Sequence, residues 1–389
     1  MSSISEQIKT QAIVCRPPEN GERKWVLEEV SLTPPADDEV VVELVATGIC
    51  HTDFICGSVP DEALALGLPP YPRVLGHEGA GYVKSTGAKV TKVREGDSVL
   101  LSFSFCKQCH NCQFGAPGFC QKWGLINFSG SRGVFLSSES ATLGEEIGGS
   151  FFGQSSFSRV TKVKEVSVVK VTEMLNNDDD LKILAPFGCG IQTGAGTITE
   201  LANAQPADMV AIMGLGAVGL AAVMGAKIRG CRTIIGIDRV ASRLELAKSL
   251  GATHTIDTTN LKGTLTEEIH AITEGTGTTI TVDASGAVPL IQQAVEFTAN
   301  QGKMILVGVP PMDAGLQIAL VPYIMSGKSI LGSMEGGVFP EKYVPNLIQW
   351  YKAGKLPADK LVKFYAAKDY LQAIKDMEDG ITVKPVLVW

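Results

Sequence analysis

Positive charge is in short supply. The chain has 34 lysines and arginines against 41 aspartates and glutamates, for a formal charge of −7. A nucleic-acid surface needs clustered Lys and Arg, so this balance argues against such a partner. Glycine and proline number 42 and 19. That is loop-rich, but short of the roughly 25–30% combined share of low-complexity chains. There is no internal repeat. The N-terminal stretch MSSISEQIKTQAIVCRPPENGERKW has no basic segment followed by an apolar core. No secretory signal is expected there, and Glu6 and Glu19 argue against a transit peptide. KPVLVW at the other end matches none of the common address or lipidation signals. The expectation is a cytoplasmic, reducing compartment, in which disulfides are rare.

Long apolar runs are also scarce. Met209 to Ala226 is uncharged for 18 residues, the length at which a membrane span becomes a candidate. It holds four glycines and opens with the β-like MVAIM. A buried strand turning into a buried helix explains it better, so no membrane partner is expected.

Hydrophobic residues make up 45% and charged residues 19% of the 389, an ordinary globular composition with room for two to three domains. Up to about residue 185, short alternating runs such as VVVELVATGI are separated by Gly, Pro and Asp, which reads as mostly β. Residues 118–160, rich in Gly, Ser and Phe, read as surface and cleft-lining connections. The acidic run from Asn176 to Asp180 suits either a helix N-terminus or a solvated loop. From about 207 strands alternate with helices. MVAIM, TIIGID, THTID, ITVDAS and KMILVGV are the strands, and SRLELAKSLGA is a helix stopped by Gly251. This alternation implies a parallel, doubly wound sheet, an α/β fold. A helix at YVPNLIQWYKAGKL, then VKFY and VKPVLVW, close the chain.

The sequence does have nine cysteines. Four of them, Cys106, Cys109, Cys112 and Cys120, sit in FCKQCHNCQFGAPGFCQ with gaps of two, two and seven residues. Thiolates so spaced can converge on one ion, and tetrahedral Zn²⁺ with sulfur at ~2.3 Å fits. A closed four-thiolate shell leaves no position for substrate, so this site would be structural. Disulfides and an iron–sulfur cluster are the alternatives; ferredoxin-type runs have a shorter last gap followed by Pro. His110 lies inside the loop as a competing ligand.

Cys50 in ATGICHTD, His77 in VLGHEGAG and Cys189 in APFGCGIQTGAG form a second, dispersed group. Taken singly, a buried Cys is more often a small hydrophobe than a ligand. Together, two sulfurs and an imidazole leave the fourth zinc position open, as a catalytic ion needs. Asp53 could accept from the distal nitrogen of His77 and fix its tautomer. Glu78 could approach the metal or form an ion pair. Cys15, Cys56, Cys231, His254 and His270 read as ordinary structural residues.

Gly214-Leu215-Gly216-Ala217-Val218-Gly219 reads GxGxxG between an expected strand and helix, the context that makes this pattern a pyrophosphate cradle. Asp238 ends the next strand. A carboxylate there would bond the adenosine ribose and repel a 2′-phosphate, which favours NAD over NADP.

In this order, GICHTD, GHEGAG, the four-cysteine lobe, GCGIQTGAG, GLGAVG, the Asp238 strand, VDASG and VGVPP resemble the zinc-containing alcohol dehydrogenases of the medium-chain dehydrogenase/reductase superfamily. The stretches SFFGQSSFS and GCGIQTGAGT are most similar to the benzyl (aryl) alcohol and geraniol-type dehydrogenases. The resemblance implies a GroES-like catalytic domain at 1–186, with its structural zinc lobe at 103–122. A Rossmann domain follows at 187–325, and residues 326–389 complete the catalytic domain. It further implies two zinc ions, one catalytic on Cys50, His77 and Cys189 and one structural on Cys106, Cys109, Cys112 and Cys120. Thr52 matches the hydroxyl that begins the proton relay. His51, Thr193, Arg243 and Lys384 match cofactor contacts: pyrophosphate, nicotinamide side, adenosine ribose and phosphate. A relay histidine of liver-type members is replaced here by Ile55, which leaves the relay to run through the ribose to water or through His51.

The implied activity is reversible, zinc- and NAD-dependent oxidation of a primary aryl or allylic alcohol to the aldehyde, by hydride transfer to nicotinamide from the zinc-bound alkoxide. A biosynthetic aldehyde or ketone reductase would use the same residues in reverse. The resemblance also implies a homodimer or homotetramer. A non-catalytic dinucleotide-binding protein is disfavoured because all three open-site ligands are present. A zinc-dependent DNA-binding module is disfavoured because no basic recognition helix flanks the cysteines.

Overall fold

Three sheets organise the described residues. The computed structural model describes residues 7–19, 22–58, 67–68, 70–177 and 179–389. The first sheet is a closed barrel of strands Ile8–Glu19, Glu22–Leu32, Ser131–Ser137, Glu146–Gly149 and Arg73–Val74. The second has seven strands, in the order Val168–Lys170, Ser98–Leu101, Gly79–Thr86, Glu39–Gly48, Lys384–Val388 and Val362–Ala366, with Val160–Lys164 also paired to Glu39–Gly48. Val40, Val42 and Leu44 pack with Val83, Val99, Leu101 and Val163 in one buried cluster, while Val41 points to the opposite face and packs in a second cluster, so strand Glu39–Gly48 is covered on both faces.

The third sheet is all parallel. Its order is His254–Asp257, Thr233–Asp238, Met209–Met213, Thr278–Asp283, Thr298–Leu306 and Ser329–Gly332. The uncharged run Met209 to Ala226 is a central strand followed by helix Ala217–Ile228. Its residues are buried because helices cover both faces of such a sheet. No described helix is long and apolar enough to cross a membrane. Helix Ala241–Leu250 buries Leu244, Ala247 and Leu250, and ends at Gly251, whose φ of +132° excludes most side chains.

The chain divides into two units. One comprises Met1–Cys189, Phe339–Ile348 and Asp359–Trp389; the other comprises Gly190–Val338 and Gln349–Ala358. The return to the first unit thus falls at Phe339 rather than at 326. The reason is strand Ser329–Gly332, which pairs in parallel with Thr298–Leu306 and extends the parallel sheet.

Residues 118–160 are also more than connections. They supply two barrel strands, and Phe151, Phe152, Gln154, Ser155 and Phe157 are buried. The acidic run does lead into a helix, Asp180–Leu184, but Asp180 turns back to accept from the Asn176 amide at 2.7 Å. Asp178 lies outside the described residues.

Candidate active site

Helix His51–Cys56 starts at Cys50, an extended N-cap residue with φ −116° and ψ 155°. Asp53, at the third helical position, accepts from the Cys50 amide through Oδ2 at 3.0 Å. This satisfies one donor left over at the helix start. Its other oxygen, Oδ1, accepts from the Gly76 amide at 3.0 Å and faces His77 Nδ1 at 2.9 Å. One fully buried carboxylate therefore holds two distant segments together.

The result is convergence. The ligand atoms of Cys50, His77 and Cys189 all lie within 4.8 Å of one another. Cys189 follows the tight turn Ala185–Gly188. That turn requires glycine at its end, since a Cβ on Gly188 would sit 1.8 Å from the Leu101 carbonyl oxygen. With Nδ1 held by Asp53, the imidazole is left with Nε2, which is buried and has no hydrogen-bond partner among the described residues. The hydrogen bond with Cys189 holds the Cys50 thiol well below the ordinary thiol range, against the cost of burial, with His77 and Lys384 adding to the effect. Two sulfurs, one poised as thiolate, and an aimed imidazole nitrogen fit a zinc ion with one position open.

Beside this set, Thr52 Oγ1 lies 3.9 Å from Cys50 Sγ. His51 is exposed, its ring edge-on to Phe54 at 5.8 Å. Ile55 is also exposed, at 40%. The Phe152 ring stacks on the His77 imidazole at 4.4 Å, and Phe151 meets its edge at 5.6 Å.

Glu78 forms a buried ion pair: Lys384 Nζ lies 2.9 Å from each of its oxygens and also donates to the Ile49 carbonyl at 3.0 Å. Burial pushes the Glu78 carboxyl up, against the pull of Lys384. Gly48 makes the room, because a Cβ there would lie 2.0 Å from Glu78 Oε2.

The four-cysteine lobe also closes up. Cys106, Cys109, Cys112 and Cys120 form a second convergent group. Cys109 and Cys112 sulfurs are 3.4 Å apart and those of Cys106 and Cys112 3.9 Å apart. These straddle the ~3.8 Å edge of a tetrahedron with metal–sulfur bonds of ~2.3 Å. Amides of Cys109 and Lys122 donate to the Cys106 and Cys120 sulfurs. Backbone donors from Cys112 and Gln121 pull the Cys109 thiol down to about 6. His110 instead packs its ring on Phe114 at 4.3 Å and is no part of the group. The donor set fits a closed tetrahedral zinc. Cys15, Cys56 and Cys231 are buried thiols, as an ordinary core role requires.

In the second unit the three glycines of the turn do different jobs. Gly214 has φ +87° and packs against Ser285. A Cβ on Gly219 would strike the Gly214 carbonyl at 1.8 Å, so the helix can approach the turn only without one. A Cβ on Gly216 would meet nothing within 4 Å. Its backbone opens onto free space at the start of helix Ala217–Ile228, with half-buried Ala217 and Val218 beside it. That open backbone is what a pyrophosphate needs. Asp238 lies next to it: Oδ2 accepts from the Leu215 amide at 2.6 Å, and Oδ1 from the Arg239 and Val240 amides. Arg243 is half-buried on helix Ala241–Leu250, its Nε buried without a partner among the described residues. Thr193 is buried and donates to Glu335 Oε2 at 3.4 Å.

Comparison with known proteins agrees with this geometry. Residues 36–173 match the alcohol dehydrogenase GroES-like domain and residues 217–353 the zinc-binding dehydrogenase domain. The chain is 35% identical to a geraniol dehydrogenase of Castellaniella defragrans over the full length of both. The chain belongs to the zinc-containing alcohol dehydrogenases. This dehydrogenase is also 33% identical to a probable S-(hydroxymethyl)glutathione dehydrogenase of Schizosaccharomyces pombe, over 93% of each chain. Among solved structures, benzyl alcohol dehydrogenase from Acinetobacter calcoaceticus superposes with a TM-score of 0.87, at 37% identity over 98% of this chain and 99% of that one. A zinc-binding alcohol dehydrogenase domain protein from Burkholderia ambifaria reaches 0.90 at 34% identity, again over 98% and 99%.

One expectation for this dehydrogenase changes, and of the two readings of Glu78 the ion pair is the one found. Lys384 is not presented to a phosphate: its ammonium is 3% exposed and points its donors at Glu78 and Ile49. Glu78 is taken up by that pair and is not in the ligand group. Sequence reasoning also missed the residues that hold His77 from behind, Phe152 and Gln154. The stretch GQSSFS did stand out as a likeness to relatives, but no spacing rule ties it to His77.

Proposed function

We propose that this dehydrogenase oxidises a primary aryl or allylic alcohol to the aldehyde with NAD, using one catalytic and one structural zinc. The observation that carries the reading is the convergence of Cys50, His77 and Cys189, with the Thr52 hydroxyl beside them. When bound, zinc supplies Lewis acidity to the alcohol oxygen and nicotinamide accepts the hydride. Thr52 Oγ1 takes the alcohol proton and passes it on. With Ile55 where a histidine relay would stand, the proton leaves toward water or exposed His51. Asp53 fixes the His77 tautomer, so that Nε2 carries the lone pair. Asp238 selects a ribose that bears no 2′-phosphate. Thr193 is assigned to the nicotinamide side, and Arg243 to the adenosine ribose.

The aryl or allylic preference rests on the phenylalanines packed on His77 and on the names of two relatives, a geraniol and a benzyl alcohol dehydrogenase. The same residues run the reaction backwards, and a dedicated aldehyde reductase is the second reading. A reducing cytoplasm suits nine cysteines that form no disulfide among the described residues. Self-association as a homodimer or homotetramer completes the proposal. The deciding experiment is a panel of aryl, allylic and short aliphatic alcohols and aldehydes, each assayed with NAD(H) and NADP(H). Aryl or allylic substrates with NAD(H) should give the highest kcat/KM. A strong preference for ethanol, or equal rates with NADPH, overturns it.

A further inference from the structure

Three non-glycine residues in one short stretch hold left-handed backbone: Ser150, Phe152 and Ser155, at φ of 60°, 52° and 57°. All three are buried. Strain of this kind persists only where the surroundings over-determine it, and it clusters at functional sites. Here the surroundings are the segment that carries His77. Ser155 Oγ donates to the Val74 carbonyl at 2.7 Å. The Phe157 and Ser156 amides donate to the Leu75 and Gly76 carbonyls at 3.0 and 2.9 Å.

Gln154 completes the series. Its Oε1 accepts from the Gly79 amide at 3.2 Å, and its Nε2 donates to the His77 carbonyl at 3.0 Å. The same Nε2 donates to the Ser102 carbonyl at 3.1 Å. Ser102 Oγ in turn donates at 2.6 Å to the carbonyl of Gly188, the residue before Cys189. Gln154 is 0% and Ser102 1% exposed. A buried chain of polar contacts thus runs from the backbone of one ligand to the backbone of another: His77, Gln154, Ser102, Gly188, Cys189. Asp53 locks Cys50 to His77 from the side-chain end.

We propose that Gln154 is a positioning residue for the catalytic metal set, coupling His77 to Cys189 through Ser102. The inference rests on reading Cys50, His77 and Cys189 as a zinc site. Gln154 touches no reacting atom. It sets the separation of two ligands that come from distant parts of the chain. An amide is required, because it must donate to two carbonyls and accept from one amide at the same time. Glutamate would face two carbonyls with no proton to offer, and methionine would fill the volume without bonding.

The test uses the full-length, zinc-loaded protein. Zinc per chain, the rate of zinc release to a chelator, and the visible spectrum of cobalt(II) placed in the catalytic set are measured for wild type, Gln154→Met, Ser102→Ala and the double variant. Gln154→Met is expected to keep the four-cysteine zinc and to hold the other about 10- to 100-fold more weakly, the scale of outer-shell ligand partners. Its cobalt bands should shift, and kcat should fall more than KM for the alcohol rises. Ser102→Ala should move the same readouts less. The double variant should be no worse than Gln154→Met alone, because the two act in series.

Wild-type zinc release and cobalt bands in Gln154→Met overturn the proposal, as do additive losses in the double variant. If Gln154→Met does not fold, unchanged zinc release in Ser102→Ala overturns it instead. A wild-type protein that holds zinc only on the four cysteines overturns the zinc-site reading itself, a result distinct from equal binding by wild type and variants.

Discussion

Lys384 and Glu78 face each other inside the catalytic unit, with both carboxylate oxygens 2.9 Å from the ammonium and neither side chain more than 3% exposed. A buried pair contributes little net stability over an apolar substitute, but removing one partner strands the other charge. Lys384→Met should therefore destabilise the catalytic unit by about 3–5 kcal/mol, and adding Glu78→Met should recover much of the loss. Urea unfolding of the two variants checks this. A single variant as stable as wild type would show that Glu78 accommodates the loss by taking up a proton.

Asp53 accepts from the Cys50 amide, the Gly76 amide and the His77 ring. Asp53→Asn keeps the size but lets the amide present a donor to His77, which disturbs its tautomer. Zinc at the catalytic set should be held about 10- to 100-fold more weakly, with the four-cysteine zinc unaffected. Chelator competition with metal counting separates the two sites.

On the proposed reading Asp238 selects the cofactor by charge. Two unit charges 4 Å apart interact by about 4 kcal/mol at an effective dielectric of 20. Removing one in Asp238→Asn should shift the NAD to NADP ratio of kcat/KM toward NADP by at least ~10-fold, as ~1.4 kcal/mol is already tenfold. The asparagine oxygen can still accept from the backbone, so the turn should keep its shape. An unchanged ratio would move selectivity elsewhere.

On the proposed reading the four-cysteine lobe is clamped by a zinc ion held on its clustered sulfurs. Cys109→Ser should lower the zinc count by one per chain and expose residues 104–122 to proteolysis. Protease resistance equal to wild type after loss of that zinc would show that the lobe is held by packing instead.

Asp376 accepts from Lys363, Tyr365 and Gln372, which hold its carboxyl down to about 2. An unfolded aspartate titrates near ~3.9. The cluster therefore stabilises the fold fully above that value and loses its effect as pH falls toward 2. Asp376→Asn should lower Tm most at about neutral pH, and the gap from wild type should close as pH drops below about 4. Thermal melts across that range check it; a pH-independent gap would mean that packing, not charge, is lost.

Legibility in the sequence followed the range of the interaction. MVAIM and GLGAVG could be read because strand, turn and helix are contiguous, and each glycine has a local job. The cysteine lobe could be read because its ligands are close along the chain. The barrel strands in 118–160 were missed because Ser131–Ser137 pairs with Glu146–Gly149 through an irregular register, which blurs the alternation. The return point at Phe339 was missed because Ser329–Gly332 is too short to announce itself. The pairing of Lys384 with Glu78 spans 306 positions, and no periodicity reports a contact of that kind. Gln154 is harder still: its role depends on backbone carbonyls, which have no letter in the sequence.

The pairing of Lys384–Val388 with Glu39–Gly48 imposes an order in time. During synthesis the four-cysteine lobe is complete once Cys120 has emerged, so the zinc proposed for it could bind early. The strand leading to Cys50 must wait for a neighbour some 335 positions downstream, roughly 15–70 s at a translation speed of about 5–20 residues per second. Until then Ala46, Thr47 and Gly48 lack their partners on that edge and Glu78 lacks the counter-charge of Lys384. On the proposed two-zinc reading, the four-cysteine set can close well before the set built on Cys50 gains its last neighbouring strand.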